Sequence, residues 1–241
     1  MTVTEFFGCT FLAFGPPLAM FIFTIACDPV RIIILIAAAF FWLLALLLSS
    51  LLWFIVVPLR NRLVFGVVFS VMFQEAFRFI IYKILRKAEG GLKKITDDNN
   101  AQITENKHIL AYVSGLGFGI ISGAFSLVNV VADAVGPATM GLKQGSEMFF
   151  ITSAATTLCF ILLHTFWSVI FFNALDNKNY LHLAWVVVTH MFVSCLTLLN
   201  YYELYAASLV PAYVIMILTG LLTFNIVGGT FTSFKACIVA K

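Results

Sequence analysis

The chain has 241 residues, of which 62% are hydrophobic and only 10% charged, and its formal net charge is +3. A soluble domain carries about 25% charged residues to cover its surface, so this composition excludes a globular domain folded in water. The small net charge says nothing about nucleic acid, which is not an expected partner, and the length fits one helical bundle without a second soluble domain.

The apolar residues fall into blocks of 19 to 27, long enough to cross roughly 30 Å of hydrocarbon as helix. In chain order they predict seven transmembrane helices over about 6–26, 32–58, 63–82, 109–132, 148–172, 181–199 and 206–231. Lipid leaves helices and closed barrels as the only spanning forms, and the alternating pattern of a barrel is absent. The expected fold class is therefore an all-α membrane protein, a single domain of seven spans. The first block begins with an acidic residue, Glu5, and is already a full span, so it reads as a first helix rather than a signal peptide. Within it, Gly15-Pro16-Pro17 predicts a kink or break, because proline removes a helical hydrogen bond and clashes with the preceding turn.

Between the spans, lysine and arginine are unequally shared. Arg60, Arg62 and Lys143 lie on one side of the membrane. Arg31, Lys83, Arg86, Lys87, Lys93, Lys94, Lys107, Lys178, Lys235 and Lys241 lie on the other. Positive loops stay in the cytosol, which predicts a luminal or extracellular N-terminus and a cytosolic C-terminus. The stretch 83–108 is the one long polar connector and reads as a cytosolic loop. Its Lys83/Arg86/Lys87 cluster is also suited to membrane lipid headgroups. The five cysteines, Cys9, Cys27, Cys159, Cys195 and Cys237, lie in or beside apolar blocks and form no disulfide framework. Cys237, near the end of the chain, is a palmitoylation candidate.

Three features stand out inside the spans. In the fourth, Gly115, Gly119 and Gly123 recur every four residues, with Ala111 in the same register. Helices in lipid associate by close packing, and such a bare stripe admits another backbone. It suits packing within this bundle and docking of another subunit equally. The third span carries Gln74, Glu75 and Arg78, the last two three apart and so able to pair on one helix face. The fifth and sixth carry His164 and His190, which must face protein or a wet cavity at that depth. They suit separate hydrogen bonds across the bundle or one shared polar pocket. A metal site lacks further ligands at suitable spacing. No cofactor motif, zinc-binding His-Glu-x-x-His or nucleophile elbow occurs, and no aspartate sits in mid-span, so catalytic residues are not expected.

Several runs together resemble one family. They are Phe6-Phe7-Gly8-Cys9 with Ala13-Phe14-Gly15-Pro16, then Ala39-Phe40-Phe41-Trp42, then Gln74-Glu75-Ala76-Phe77-Arg78-Phe79 with Tyr82-Lys83. The glycine stripe preceded by Ala111-Tyr112-Val113-Ser114 follows, with Leu162-Leu163-His164-Thr165-Phe166-Trp167 and Thr189-His190. This set is similar to the anterior-pharynx-defective (Aph) family of gamma-secretase subunits, over essentially the whole chain. The resemblance implies a seven-span, non-catalytic scaffold with a luminal N-terminus. Its implied partners are nicastrin, presenilin and the presenilin enhancer subunit, in a complex that cleaves type I membrane proteins such as Notch and amyloid precursor protein. It implies residence in the endoplasmic reticulum, Golgi, endosomal and plasma membranes. It also assigns helix packing and assembly to Gly115, Gly119 and Gly123, and a polar site affecting presenilin to His164 and His190. The competing readings from the residues alone are a seven-span receptor and a small transporter with a histidine-lined polar path.

Overall fold

The computed structural model describes residues 3–59, 63–95, 107–135 and 148–230. Among the described residues seven helices are long and apolar enough to cross a membrane. They are α1 (Val3–Thr24), α2 (Pro29–Ile55), α3 (Leu63–Ile95), α4 (Lys107–Val135), α5 (Met148–Asp176), α6 (Tyr180–Leu196) and α7 (Tyr205–Ile226). Among the described residues there is no strand. The fold is that of an integral multi-pass helical bundle.

Local chemistry sets several helix ends. Asp28 caps α2, accepting from the backbone N–H groups of Val30 (2.9 Å) and Arg31 (3.4 Å), with Pro29 in the first turn. A proline there forfeits no intrahelical bond. Asn179 caps α6 in the same way, accepting from Leu181 and His182. Between α5 and α6 the chain turns through Lys178 at φ 55°, a left-handed position in a very short connection.

Two expectations change. α1 runs unbroken through Pro16 and Pro17, so the anticipated break is absent. The proline rings free carbonyls one turn earlier, at Leu12 and Ala13. Ala13 is fully buried in a small cluster with Cys9, Leu127 and Ala154, and lipid-facing helices tolerate proline where neighbours cover the freed groups. In addition, helix fills much of the stretch expected to be loop, since α3 continues to Ile95 and α4 begins at Lys107. The residues 83–95 contain no proline and are rich in Lys, Leu, Arg, Ala and Glu, which are good helix formers. The loops at 60–62, 96–106 and 136–147 and the tail with Cys237 lie outside the described residues.

α5 is the axis of the bundle, packed by α1, α4, α6 and α7. It buries side chains all round, from Thr152 to Ala174. A helix apolar on every face belongs at the centre. A second relation places the site: α2 meets α4, α4 meets α5, α5 meets α6, α6 meets α3, and α3 returns to α2. These five helices close a ring, and Glu75, Arg78, His164 and His190 come together inside it.

Candidate functional site

The glycine stripe of α4 lies against α5. A Cβ built on Gly119 would sit 2.6 Å from the carbonyl oxygen of Ile161 and 2.9 Å from its Cα. One built on Gly115 would meet Ser168 Cβ at 2.7 Å and the carbonyl oxygen of His164 at 2.9 Å. Gly123 faces the end of the Ile161 side chain instead, 2.7 Å from Cδ1. Ala111, in the same register, is fully buried. The register thus serves contact within the chain, and at Gly115 and Gly119 it is backbone on backbone. Gly117 is a fourth contact that the four-residue spacing does not reveal. It points to the opposite side of α4, where a Cβ would collide with the carbonyl oxygen of Leu35 and crowd Ala38 on α2. α4 is therefore clasped between two helices, each touching it at glycine.

Next to this contact the ring is plugged by four polar side chains from three helices. Glu75 and Arg78 come from α3, His164 from α5 and His190 from α6; Arg78 is fully buried and the two histidines nearly so. Glu75 Oε1 accepts from His190 Nδ1 at 2.6 Å and lies 3.3 Å from Arg78 NH1. Arg78 NH2 donates to His164 Nδ1 at 2.8 Å. A guanidinium has donors only, so His164 Nδ1 must be the unprotonated nitrogen and its ring proton lies on Nε2. A carboxylate has acceptors only, so His190 Nδ1 carries a proton. The two imidazoles meet edge to face with centroids 5.1 Å apart. Each histidine thus hydrogen-bonds across the bundle to α3, and the two also lie together in one polar cluster with the ion pair.

Aromatic groups hold the four in place. Trp167 stacks on His190 at 4.4 Å, and its Nε1 donates to Thr189 Oγ1 at 2.9 Å. The Arg78 guanidinium lies over the rings of Phe118 at 5.6 Å and Trp167 at 5.9 Å, an arrangement favoured when the cation is desolvated. With neutral histidines the four sum to zero charge, the condition under which a buried ion pair is tolerated. Satisfaction is incomplete: Glu75 Oε2 and Arg78 Nε have no hydrogen-bond partner, and the NH1 approach is an ion-pair distance without hydrogen-bond alignment. In the sequence alone Trp167 and Thr189 carry no role beyond the family-like runs, and Phe118 does not stand out. The first two stand three residues after His164 and one before His190, a spacing that could have pointed to them.

Gln74 belongs elsewhere. It accepts from Trp42 Nε1 of α2 at 3.2 Å and donates to Ser70 Oγ at 3.1 Å. It lines a cavity of about 560 Å³ inside the ring, formed by all five helices. Ser49, Ser70, Ser122, Thr156 and Ser194 contribute hydroxyls to its wall, beside Trp53 and Phe160, with no charged side chain among the lining residues. The cavity occupies the end of the ring formed by the C-terminal halves of α2, α4 and α6. The plug of Glu75, Arg78, His164 and His190 lies deeper. Among the described residues no group of three His, Cys, Asp or Glu side chains could hold a metal ion.

A sequence model described as Aph-1 protein matches residues 4–230. The chain belongs to the Aph-1 family. It is 65% identical over 241 residues to the gamma-secretase subunit Aph-1 of Drosophila melanogaster, covering 100% of both chains. It is 46% identical to gamma-secretase subunit APH-1B of Homo sapiens, covering 100% of this chain and 95% of the relative. A more distant relative, gamma-secretase subunit aph-1 of Caenorhabditis elegans, is 29% identical over 94% of this chain and 82% of its own length. Family membership thus extends across the glycine contacts, the four-residue plug and the cavity alike.

Proposed function

We propose that this chain is a non-catalytic scaffold and assembly subunit of the gamma-secretase complex. Its partners there are presenilin, nicastrin and the presenilin enhancer subunit, and it supports cleavage of type I membrane proteins such as Notch and amyloid precursor protein. The observation that carries the reading is full-length identity of 65% to a protein named a gamma-secretase subunit. The N-terminus faces the lumen or exterior and the C-terminus the cytosol, a reading supported by the lysine and arginine distribution. The chain resides in endoplasmic reticulum, Golgi, endosomal and plasma membranes.

In this role the working parts are structural. Gly115, Gly119 and Gly123 fix α4 on α5, and His164 and His190 lock α3 to α5 and α6 through Glu75 and Arg78. The partner-facing surface keeps its shape because the interior is held by contacts of fixed length. The test is mass spectrometry of proteins that co-purify with the tagged chain in a mild detergent. Presenilin and nicastrin are expected in the wild-type sample, and recovery of neither would sink the proposal. Gly119→Asp should reduce recovery by lowering the amount of folded chain, since the substituted side chain enters a contact within the bundle. Normal recovery from that variant would refute the packing role.

A further inference from the structure

α3 presents two different faces at the end of its span. Glu75, Arg78, Ile81 and Leu85 turn inward and are buried. On the opposite side a strip at helical spacing runs Met72, Ala76, Phe79, Lys83 and Lys87, with Ile80 and Ile84 beside it. Met72 is 53% exposed, Phe79 42%, Ile80 40% and Ile84 47%. Lys83 and Lys87 are exposed as well. The strip is thus apolar for two turns and then doubly cationic.

Arg86, the third cation of the cluster, is not part of that strip. Its Nε and NH2 donate to the two carboxylate oxygens of Asp176, the last residue of α5. Its NH1 donates to Glu89 at 2.8 Å. Tyr82 also donates to Asp176, at 2.9 Å, and the guanidinium lies 5.8 Å from the ring centres of Tyr82 and Phe172. This latch ties the extension of α3 to the end of α5 and fixes which way the remaining lysines point. Lys83 and Lys87 form no ion pair among the described residues; the Lys83 ammonium rests 5.3 Å from the Phe79 ring.

We propose that this strip is a binding site for an anionic phospholipid, with the headgroup between Lys83 and Lys87 and an acyl chain along Met72, Ala76 and Phe79. The two lysines stand one helical turn apart, with a backbone rise of about 6 Å between them. Arg86 stands between them in the sequence and pairs with Asp176, so they lie near the level of the C-terminal end of α5. A free phosphate would meet the charges and leave the apolar strip unused, whereas a lipid meets both. Arg86 gives direction to the site without touching the ligand.

The experiment uses the chain reconstituted in nanodiscs, with spin-labelled phosphatidylserine or phosphatidylcholine as the probe and the protein-bound fraction read by electron paramagnetic resonance. Both leaflets then contain the anionic lipid, so the outcome does not depend on which way the chain faces. Wild-type protein should hold phosphatidylserine in preference to phosphatidylcholine. Lys83→Gln or Lys87→Gln should lower that preference about fivefold at most, and the double variant about thirtyfold at most. Lys83→Arg/Lys87→Arg, which keeps both charges, should retain it and guards against misfolding of the glutamine pair. The proposal is overturned if the double glutamine variant keeps full selectivity, or if Lys107→Gln/Lys178→Gln lowers it as much, which would mean diffuse attraction. It is also overturned if inorganic phosphate at matched ionic strength displaces the labelled lipid.

Discussion

Replacing Gly119 with alanine adds one methyl group, and the structure says where it goes. Its Cβ would stand 2.6 Å from the Ile161 carbonyl oxygen, whereas ordinary contact begins at 3.4 Å, a shortfall of 0.8 Å. The obstacle is backbone, so no rotamer change can make room, and α4 must move off α5 at that turn. A radial gap of about 0.5–1 Å forfeits a quarter to a half of each van der Waals contact across it, and no hydrophobic force restores the pair in lipid. Overpacking of this kind costs about 1–3 kcal/mol. Working against it, alanine is favoured over glycine in helices by about 1 kcal/mol. For Gly119 the two terms leave a net loss of about 0–2 kcal/mol, and the backbone obstacle places it toward the upper end. At Gly123 the obstacles are side-chain atoms, Ile161 Cδ1 at 2.7 Å and Cγ1 at 2.9 Å and Thr157 Cγ2 at 3.0 Å, which can give where backbone cannot, so Gly123→Ala should cost less than Gly119→Ala. At Gly8 nothing lies within 4 Å, and alanine there should be neutral or slightly stabilising. Gly117→Ala meets the Leu35 carbonyl most closely of all and should be the worst. Steric trapping in bicelles measures these unfolding free energies directly. A Gly119→Ala protein as stable as wild type, or a Gly123→Ala protein less stable than Gly119→Ala, would refute the reasoning.

Two further outcomes concern the buried plug. Arg78→Met leaves Glu75 ionised without its cation in the ring and should cost about 3–5 kcal/mol; adding Glu75→Gln should recover part of the loss, and a double-mutant cycle that finds the two changes additive would remove the coupling. Trp167→Phe keeps an aromatic face against His190 but deletes the bond to Thr189, which still donates to the Trp185 carbonyl at 2.7 Å; the expected loss is about 1 kcal/mol, read from the same unfolding assay, and a loss above that of Arg78→Met would contradict the ranking.

The number and order of spans were legible because lipid imposes length and apolarity on each segment, and little else competes with that signal. The pairing of Glu75 with Arg78 was legible because it is local, three residues on one helix face. The meeting of that pair with His164 and His190 was not, since nothing in a linear sequence gives the azimuth of one helix against another. Gly117 shows the same limit: the four-residue repeat marks one face of α4, and a glycine off that register declares its purpose only when α2 is seen beside it. The helix from Lys83 to Ile95 was hidden for a different reason. Polarity marks the end of a span, and helix propensity with the Arg86–Asp176 latch carries the backbone on beyond it.

The glycine contacts and the polar plug are mechanically one unit. The atoms that Gly115 touches, the His164 carbonyl and Thr165 Cα, belong to the same turn of α5 that aims the His164 imidazole at Arg78. The distance between α4 and α5 at Gly115 therefore sets how far His164 reaches. Restoring ordinary contact after a methyl is added there requires about 0.7 Å of movement against Ser168 Cβ. Applied along a 2.8 Å hydrogen bond, that is enough to carry the donor–acceptor separation to the outer limit of a useful bond. Arg78 would then keep only its unaligned approach to Glu75, in a fully buried position where an unmet charge is expensive. A bare stripe on α4 thus bears on how well a cation on α3 is satisfied, although the two helices scarcely touch each other.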